Sequence, residues 1–289
     1  MSDWLDALGA LRHEREAAVL VTVAAARGHA PREAGAKMVV GAAATWGSIG
    51  GGNLEETAIA RARSLLSSGS LIPVQVEMSL SDKARTEHGR QCCGGEVSLL
   101  LEPVPVRPAV AIFGLGHVGQ ELARVLVRHD VELHLVDSRA SYVSGEAIAP
   151  LLEGPATVVA HHAPLPEITL GELPRGTDVL IMSHDHAEDF ALCDAALRCG
   201  HLGSIGLIGS SAKRRRFEQS LGVEGHAPDA IARIRCPIGE PTVVEGLGGG
   251  KRPAAIALAV AVEVLSGARR AADVSCPGRS PRRSPGTMT

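Results

Sequence analysis

The stretch AVAIFGLGHVG, residues 109–119, decides the fold of the larger part of this chain. Its first five residues are apolar, and the glycine pattern G-x-G-x-x-G follows at 114–119. A helix is predicted at 120–128, and a second apolar strand at 131–136 ends at Asp137. A lone glycine pattern is weak evidence, but strand, turn, helix, strand and terminal acid together predict a Rossmann-like βαβ unit.

The same alternation of strand and helix continues beyond this unit. Strands are predicted at 157–160, 178–183 and 204–208, with helices at 187–199 and from about Ser210. Such alternation predicts a mostly parallel, doubly wound sheet whose ligands lie beyond the carboxyl ends of the strands. The glycine turn and its acid are therefore candidate contacts for a nucleotide or another cofactor, namely Gly114, Gly116, His117, Gly119 and Asp137.

Two further polar turns are predicted at the same edge of the sheet. The first, SHDH at 183–186, offers His184 and His186, which can coordinate a metal, shuttle protons or contact a ligand, while an acid or histidine there can also cap a helix. The second, GSSAKRRR at 209–216, favours a phosphate through amides, hydroxyls and a cation. We expect the phosphate contacts to be Ser210, Ser211 and Lys213, with the later arginines mostly on a solvated helix face.

The segment EPVPVRP, residues 102–108, is interpreted as the boundary between two domains. Its three prolines favour extended backbone, and we expect them neither to pair inside a sheet nor to continue a helix. The prediction is an α/β chain with an N-terminal α+β domain at 1–104 and a Rossmann-like domain at 105–270. The polar, proline-rich residues 271–289 are expected to form a disordered tail.

In the N-terminal domain, two loops have the character of an anion site. Residues 27–37 carry several cations, among which Arg32 and Lys37 are candidate contacts. The run IGGGN at 49–53 precedes a helix, and its glycines, with Gly51 at the centre, can form a backbone nest for an anion or a plain connection. Asn53 is predicted to cap that helix.

The adjacent cysteines of QCCGGE, residues 91–96, make this the most informative stretch of the domain. Thiolates are soft ligands and strong nucleophiles, so such a turn can hold a thiophilic metal or carry sulfur, although free cysteines are also often inert core residues. The candidate site residues here are Gln91, Cys92, Cys93, Gly94 and Gly95.

Composition restricts the setting and the partners. The net charge of −3 over 289 residues gives no reason to expect a nucleic-acid or anionic-membrane partner. No basic, apolar leader and no membrane-spanning run is evident, and six cysteines without a C-x-x-C pair indicate a reduced, cytoplasmic protein.

Several enzyme classes can be tested against particular residues. The glycine-rich run 246–251 is not a P-loop, because Glu245 stands where the first glycine belongs and Arg252 replaces the magnesium-binding hydroxyl. Tyr142 is the only tyrosine and lacks a lysine four residues later. A nicotinamide-dependent oxidoreductase nevertheless remains an alternative, as does a metal-dependent hydrolase at the 183–186 turn.

Taken together, the motifs resemble the XdhC/CoxI family of accessory proteins for molybdenum hydroxylases. The resemblance runs in order through almost the whole chain and is carried by REAGAKM at 32–38, IGGGNLE at 49–55, CGG at 93–95, IFGLGHVG at 112–119, SHDH at 183–186, GLIGSSAKR at 206–214 and PIG at 237–239. This chain differs after PIG, where it has Glu240 and a longer loop, 241–250, in place of a leucine and a short Gly-Lys loop.

The resemblance implies a self-associating, two-domain protein, expected to be a homodimer, that is not itself an enzyme. Such a protein binds the molybdenum cofactor (molybdopterin) while a terminal oxygen on molybdenum is exchanged for sulfur from a cysteine desulfurase. It then passes the cofactor to an apo molybdenum hydroxylase such as xanthine dehydrogenase. The resemblance assigns molybdenum contact to Cys93 more clearly than to Cys92, and the pterin and its phosphate to the glycine turns and the Ser210 region.

Overall fold

The computed structural model describes residues 3–79, 95–239, 241–246 and 252–273. Two compact units are present, the first built mainly from residues 1–106 and the second mainly from residues 107–268. Most of the segment expected to be a disordered tail lies outside the described residues. Its first three residues, 271–273, instead form the end of a helix.

The first unit is a five-stranded antiparallel sheet with two helices. The strand order is β3-β2-β1-β5-β4, and every pair in it is antiparallel. Its elements are α1 Trp4–His13, β1 Ala18–Arg27, β2 Lys37–Val40, β3 Thr45–Gly47, α2 Gly52–Ser68, β4 Val74–Ser79 and β5 Glu96–Val104.

The central strand β1 has buried side chains on both faces. Val19, Val21 and Val23 point to one side, where Leu54 and Ala58 of α2 complete the core. Residues on the opposite face pack with α1 through Leu11, Ala18 and Val39. Alternation with period two places one set of strand residues on each face, so a run of valine and leucine can serve two cores at once.

The boundary proline Pro103 lies in a strand of the sheet but not in its interior. This residue belongs to β5 and lies opposite Val19 of β1. The other neighbour, β4, begins at Val74 opposite Leu101, so Pro103 has a strand on one side only. Because no β4 residue lies opposite it, the missing N–H leaves no bond to that strand unmade.

The second unit is a six-stranded parallel sheet in the order β11-β10-β9-β6-β7-β8. Its strands are β6 Ala109–Phe113, β7 Glu132–Asp137, β8 Thr157–His162, β9 Asp178–Ile181, β10 Ile205–Leu207 and β11 Ile234–Arg235. Its helices are α3 His117–Leu126, α4 Gly145–Ile148, α5 Pro166–Thr169, α6 His186–Arg198, α7 Ser211–Val223, α8 Pro228–Ile231, α9 Pro241–Gly246 and α10 Pro253–Asp273, with short 3₁₀ turns at Ala140–Tyr142 and Ala149–Leu151.

Helices cover both faces of this sheet, which confirms the predicted doubly wound α/β fold. Ala111 and Phe113 of β6 pack toward α6, whereas Val110 and Ile112 pack toward α3 and α10. All five residues of β6 are buried, as expected for a central parallel strand. The expected loop after PIG was partly wrong, because Pro241–Gly246 forms helix α9. Among the described residues, no helix combines the length and apolar content needed to cross a bilayer.

Each glycine of the 114–119 turn has a different structural requirement. Gly114 has φ +99°, and a Cβ there would lie 2.5 Å from the Met182 carbonyl oxygen. A Cβ on Gly119 would lie 2.2 Å from the Gly114 carbonyl oxygen, so α3 packs against its own turn only with glycine at this position. Around Gly116, by contrast, nothing lies within 4 Å of a Cβ, which leaves open space over the start of α3.

This contrast predicts that Gly119→Ala destabilises the second unit, whereas Gly116→Ala does not. The alanine methyl at 119 must displace backbone, which costs about 1–3 kcal/mol in overpacked sites. At 116 the φ of −66° suits any residue, so the change in free energy of unfolding should stay below about 1 kcal/mol. Chemical denaturation of both variants checks this, and equal stabilities would contradict the packing role of Gly119.

Candidate functional site

A cavity of about 540 Å³ opens at the carboxyl edge of the parallel sheet, where β9 and β10 lead into their helices. One wall comes from the connection between β9 and α6, and the other from the connection between β10 and α7. The lining residues are Ser183, His184, His186, Asp189, Ile208, Gly209, Ser210, Ala212, Lys213, Arg216 and Phe217. Both polar turns expected at this edge therefore contribute to one site.

The floor of the cavity is a buried ion pair between Lys213 and Asp189. Their side chains are only 12% and 1% exposed. The second carboxylate oxygen of Asp189 accepts from the Ser183 amide at 3.0 Å, and Lys213 Nζ also donates to the Ile208 carbonyl at 3.0 Å. The predicted phosphate contact Lys213 is thus neutralised inside the protein, and its main task is to join the two strand ends.

Most of the other predicted residues of these turns lie at the mouth of the cavity. His184 and His186 are exposed, and both line the cavity. Ser210 caps α7 by accepting from the Lys213 amide at 3.3 Å, and Ser211 is the exposed first residue of that helix. The capping alternative holds for Asp185, which accepts from the Ala187 amide at 2.7 Å at the start of α6.

Arg216 is the lining residue that sequence reasoning missed. It was assigned to a solvated helix face, yet it borders the cavity from α7. It is exposed, and within the described ranges its guanidinium makes no hydrogen bond or ion pair. Helical spacing is the signal that identifies it, because Arg216 lies three residues after Lys213 and four after Ala212 on the same face.

Asp137, the predicted cofactor contact, lies at the end of β7 as the pattern predicts, but both of its carboxylate oxygens already accept hydrogen bonds. Its Oδ2 accepts from the Leu115 amide of the glycine turn at 2.7 Å, and the Arg139 guanidinium donates to both oxygens at 2.9 Å. Burial opposes ionisation of Asp137, but Arg139 and the amides outweigh it and hold the pKa of the carboxyl below its ordinary value. With only 2% of the residue exposed, Asp137 braces the turn and presents little surface to a ribose.

The glycine nest of the first unit already holds an anion, and that anion is Glu55. A single carboxylate oxygen, Oε1, accepts from the Ser48 hydroxyl at 2.5 Å and from the amides of Ile49, Gly50 and Gly51 at 2.8–3.1 Å. Gly51, with φ +78°, precedes α2 and replaces Asn53 as the helix cap, so the predicted Asn53 cap was wrong. The nest is therefore real, but an internal carboxylate occupies it.

Other predicted residues of the first unit lie around the same end of its sheet. A Cβ on Gly50 would lie 2.5 Å from the Pro31 ring, and one on Gly95 would lie 2.6 Å from the Arg27 carbonyl oxygen, so the 27–31 loop touches both glycine segments. Arg32 is exposed on this loop. Lys37 donates to the Thr22 hydroxyl at 2.9 Å and lies over the Trp4 ring.

The four residues before Gly95, which include the predicted thiols, lie outside the described part of the chain: Gln91, Cys92, Cys93 and Gly94. Two of the described cysteines lie in the core of the second unit. Cys193 and Cys236 are buried, and burial raises the pKa of Cys193 to about 12. Within the described ranges, no group of three or more His, Cys, Asp or Glu residues is arranged to hold a metal ion.

Comparison with known proteins gives matches over most of the chain. The model of the XdhC Rossmann domain matches residues 110–264, and that of the XdhC and CoxI family matches residues 11–75. An uncharacterized protein of Escherichia coli (strain K12), YqeB, is 24% identical over 249 residues, or 83% of this chain and 41% of that protein. The chain thus spans about two-fifths of the length of this curated relative.

Two solved structures give more distant matches. A crystal structure described as a xanthine dehydrogenase from Bacillus halodurans has 18% identity and a TM-score of 0.47, covering 96% of this chain and 98% of that one. An imine reductase from Pseudomonas sp. has 14% identity and a TM-score of 0.29, covering 58% of this chain and 64% of that one.

The Glu55 contacts predict a defined dependence of stability on pH. Burial works against the charged form, but the hydrogen bonds from Ser48 and the three amides lower the pKa of Glu55 from its ordinary value of 4.5. These hydrogen bonds therefore stabilise the folded state fully above about pH 4.5. The stabilisation is lost as the pH falls through the lower pKa that Glu55 has in the folded state. Glu55→Gln should cost about 1 kcal/mol at pH 7, because partial exposure screens the charge.

The measurement is the free energy of unfolding of wild type and Glu55→Gln between pH 3 and pH 7. The difference between them should shrink toward the acidic end. Glu56→Gln is the matched control, since Glu56 is the exposed neighbour on the same helix. If the difference in free energy of unfolding between wild type and Glu55→Gln stays constant with pH, the nest does not stabilise a charge.

Proposed function

Because the chain belongs to the XdhC and CoxI family, we propose that it is an accessory protein in the maturation of molybdenum hydroxylases. In this proposal it binds the molybdenum cofactor in the cytoplasm, protects it during sulfuration and delivers it to an apo-hydroxylase such as xanthine dehydrogenase. A cysteine desulfurase supplies the sulfur, and the working form is a homodimer. The task is binding and transfer, not turnover of a substrate.

The observation that carries the proposal is the cavity at the ends of β9 and β10. Its volume of about 540 Å³ lies within the range of small-molecule sites. The cofactor is a pterin with a terminal phosphate, so it needs a site that combines enclosure with an available cation. Arg216 supplies that cation, with Ser210 and the start of α7 beside it, whereas the charge of Lys213 is already balanced by Asp189.

Thiol chemistry enters the proposal through the first unit. Gly95 is held against the 27–31 loop, and the predicted thiol Cys93 precedes it by two residues in the sequence. We assign contact with molybdenum to Cys93 on the strength of the family motif Cys-Gly-Gly. Cys92 has no equivalent motif support.

The nicotinamide-dependent oxidoreductase is the weaker alternative. Such an enzyme uses the acid at the end of the second strand to bind ribose. Here that acid, Asp137, gives its oxygens to Leu115 and Arg139. A rise in melting temperature with NADH, but not with molybdopterin, would favour the oxidoreductase over the carrier.

Arg216→Met should weaken binding of molybdopterin by about 10- to 100-fold, the usual value of a hydrogen bond to a charged group. Arg215→Met is the matched control, because Arg215 is an exposed neighbour on α7 that does not line the cavity. Titration of molybdopterin into each variant, followed by the fluorescence of the pterin, measures the difference in affinity. Equal affinities would remove Arg216 from the site, and no binding by the wild-type protein would overturn the proposed function.

Cys93→Ser should retain the fold but activate an apo-hydroxylase poorly in the presence of a desulfurase and cofactor. Serine keeps the size of the side chain and removes the soft thiolate that suits molybdenum or sulfur. Cys92→Ser serves as the control and should retain most of the activation. Measured hydroxylase activity that is the same in all three proteins would exclude a role for the thiol.

A further inference from the structure

The strand β8 lies at one edge of the parallel sheet and is accessible along its whole length. Within the described residues it pairs with β7 alone, and none of its six residues is buried. On β7 beside it, every residue from Leu133 to Asp137 is buried. The outer side of β8 is therefore open to a further strand.

The backbone of β8 is directed alternately toward β7 and away from it. The amides of Thr157 and Ala163 donate to carbonyl groups at the two ends of the β7 segment, at 3.0 and 3.1 Å. Because this direction alternates along a strand, Val158, Ala160 and His162 direct their N–H and C=O groups outward. A row of outward groups is the template that a second strand needs in order to pair.

The composition of β8 differs from that of the other sheet edges in the described part of the chain. Edge strands that stay unpaired are usually short, or carry lysine, another charge or proline. The strands β3 and β11 have three and two residues, and β4 carries Glu77. The strand β8 has six residues, TVVAHH, without a lysine, a carboxylate or a proline. This edge is therefore suited to pairing.

Three exposed apolar side chains accompany β8 at its two ends. Leu152 precedes the strand and is 55% exposed, and Leu165 and Ile168 follow it at α5 and are 59% and 63% exposed. The segment before the strand stays close to it, since Leu151 belongs to the same core cluster as Val158. Apolar side chains beside an unpaired edge add contact area for a partner.

The sequence of β8 is complementary to an antiparallel copy of itself. Pairing centred on Ala160 places Ala160 opposite Ala160 of the second copy, Val158 opposite His162, and Val159 opposite His161. Small side chains then meet at the centre, and no histidine lies opposite another. Both copies use the same residues, as a two-fold axis requires.

We propose that β8 is the surface through which two copies of this chain associate, joining their parallel sheets edge to edge. Each outward residue exchanges both of its backbone hydrogen bonds with the residue opposite. The inference rests on the proposed function in one respect, because it supplies the surface of the homodimer.

Antiparallel pairing also determines where the two cavities lie. The carboxyl edge of one sheet runs beside the amino edge of the other, so the cavities at the ends of β9 and β10 open at opposite edges of the joined sheet. Each cavity is lined by residues of its own chain. A monomeric variant should therefore bind molybdopterin with the affinity of the wild type.

Charges introduced at Ala160 test the surface. Ala160→Glu and Ala160→Lys each place two like charges opposite one another at the centre of the pairing, and each should weaken self-association at least about tenfold. An equal mixture of the two variants places opposite charges there and should restore association. Light scattering during size-exclusion chromatography of the full chain measures the mass. We expect the mass of two chains for the wild type and the mixture, and of one chain for each variant alone.

A second variant and a control accompany this test. His162→Pro removes an outward N–H at the exposed end of β8 without adding a charge, and it should also weaken association. Thr45→Glu adds a carboxylate to the exposed first residue of β3, an edge of the other sheet, and should leave association unchanged. Melting temperatures near that of the wild type show that a variant has kept its fold.

The outcomes separate this inference from the proposed function. Dimers of all three β8 variants would overturn the inference and leave the homodimer standing at another surface. Folded charge variants that stay monomeric when mixed would also overturn it. A monomeric wild-type chain would overturn both the inference and the homodimer. Charge-dependent association without molybdopterin binding would support the inference and overturn the carrier function alone.

Discussion

The buried ion pair between Asp189 and Lys213 is the interaction on which the candidate site depends. A carboxylate that is 1% exposed can remain charged only if its partner and its hydrogen bonds replace the lost water. The pair also binds the Ser183 amide and the Ile208 carbonyl, which lie two residues and one residue beyond the ends of β9 and β10. It therefore fixes the spacing of the two connections that wall the cavity. Removing either charge would leave the other buried, so the cavity shape and the stability of the unit are coupled.

The other motifs that suggested ligand binding also have internal partners for their polar groups. In the first unit the glycine nest surrounds Glu55, and in the second the strand-end acid Asp137 is bound by Arg139 and by the glycine turn itself. In each case a group that could meet a ligand is satisfied within the chain. Backbone amides and buried charges carry a desolvation cost whether or not a ligand is present, so an internal partner stabilises the empty protein. The groups left for a ligand are those one helical turn further out, such as Arg216.

These internal contacts explain which features of the fold and of the candidate site could be predicted from the sequence. Periodicity and glycine spacing predicted the parallel sheet, the βαβ unit and the edge at which the polar turns meet, because these depend on local pattern and strand direction. The pairing of Asp189 with Lys213 spans 24 residues, and no local pattern reports it. The position of Pro103 in β5 could not be predicted for a related reason. The length of β4, not the proline itself, leaves Pro103 without a strand on one side. The Glu55 contact could have been predicted from the sequence, because the acceptor Glu55 lies only four residues after Gly51.

An incoming anion consequently meets two different situations in this chain. At the nest in the first unit it has to displace the Glu55 carboxylate from four hydrogen bonds before it gains any of its own. At the cavity in the second unit it meets a floor whose charges already cancel and an arginine on the rim. Binding there gains a charge-assisted contact without breaking an internal one, so the net free energy favours the cavity even where the nest has more donors. The number of donors around a site is thus a poor guide to anion binding, and the availability of those donors in the empty protein is the better one.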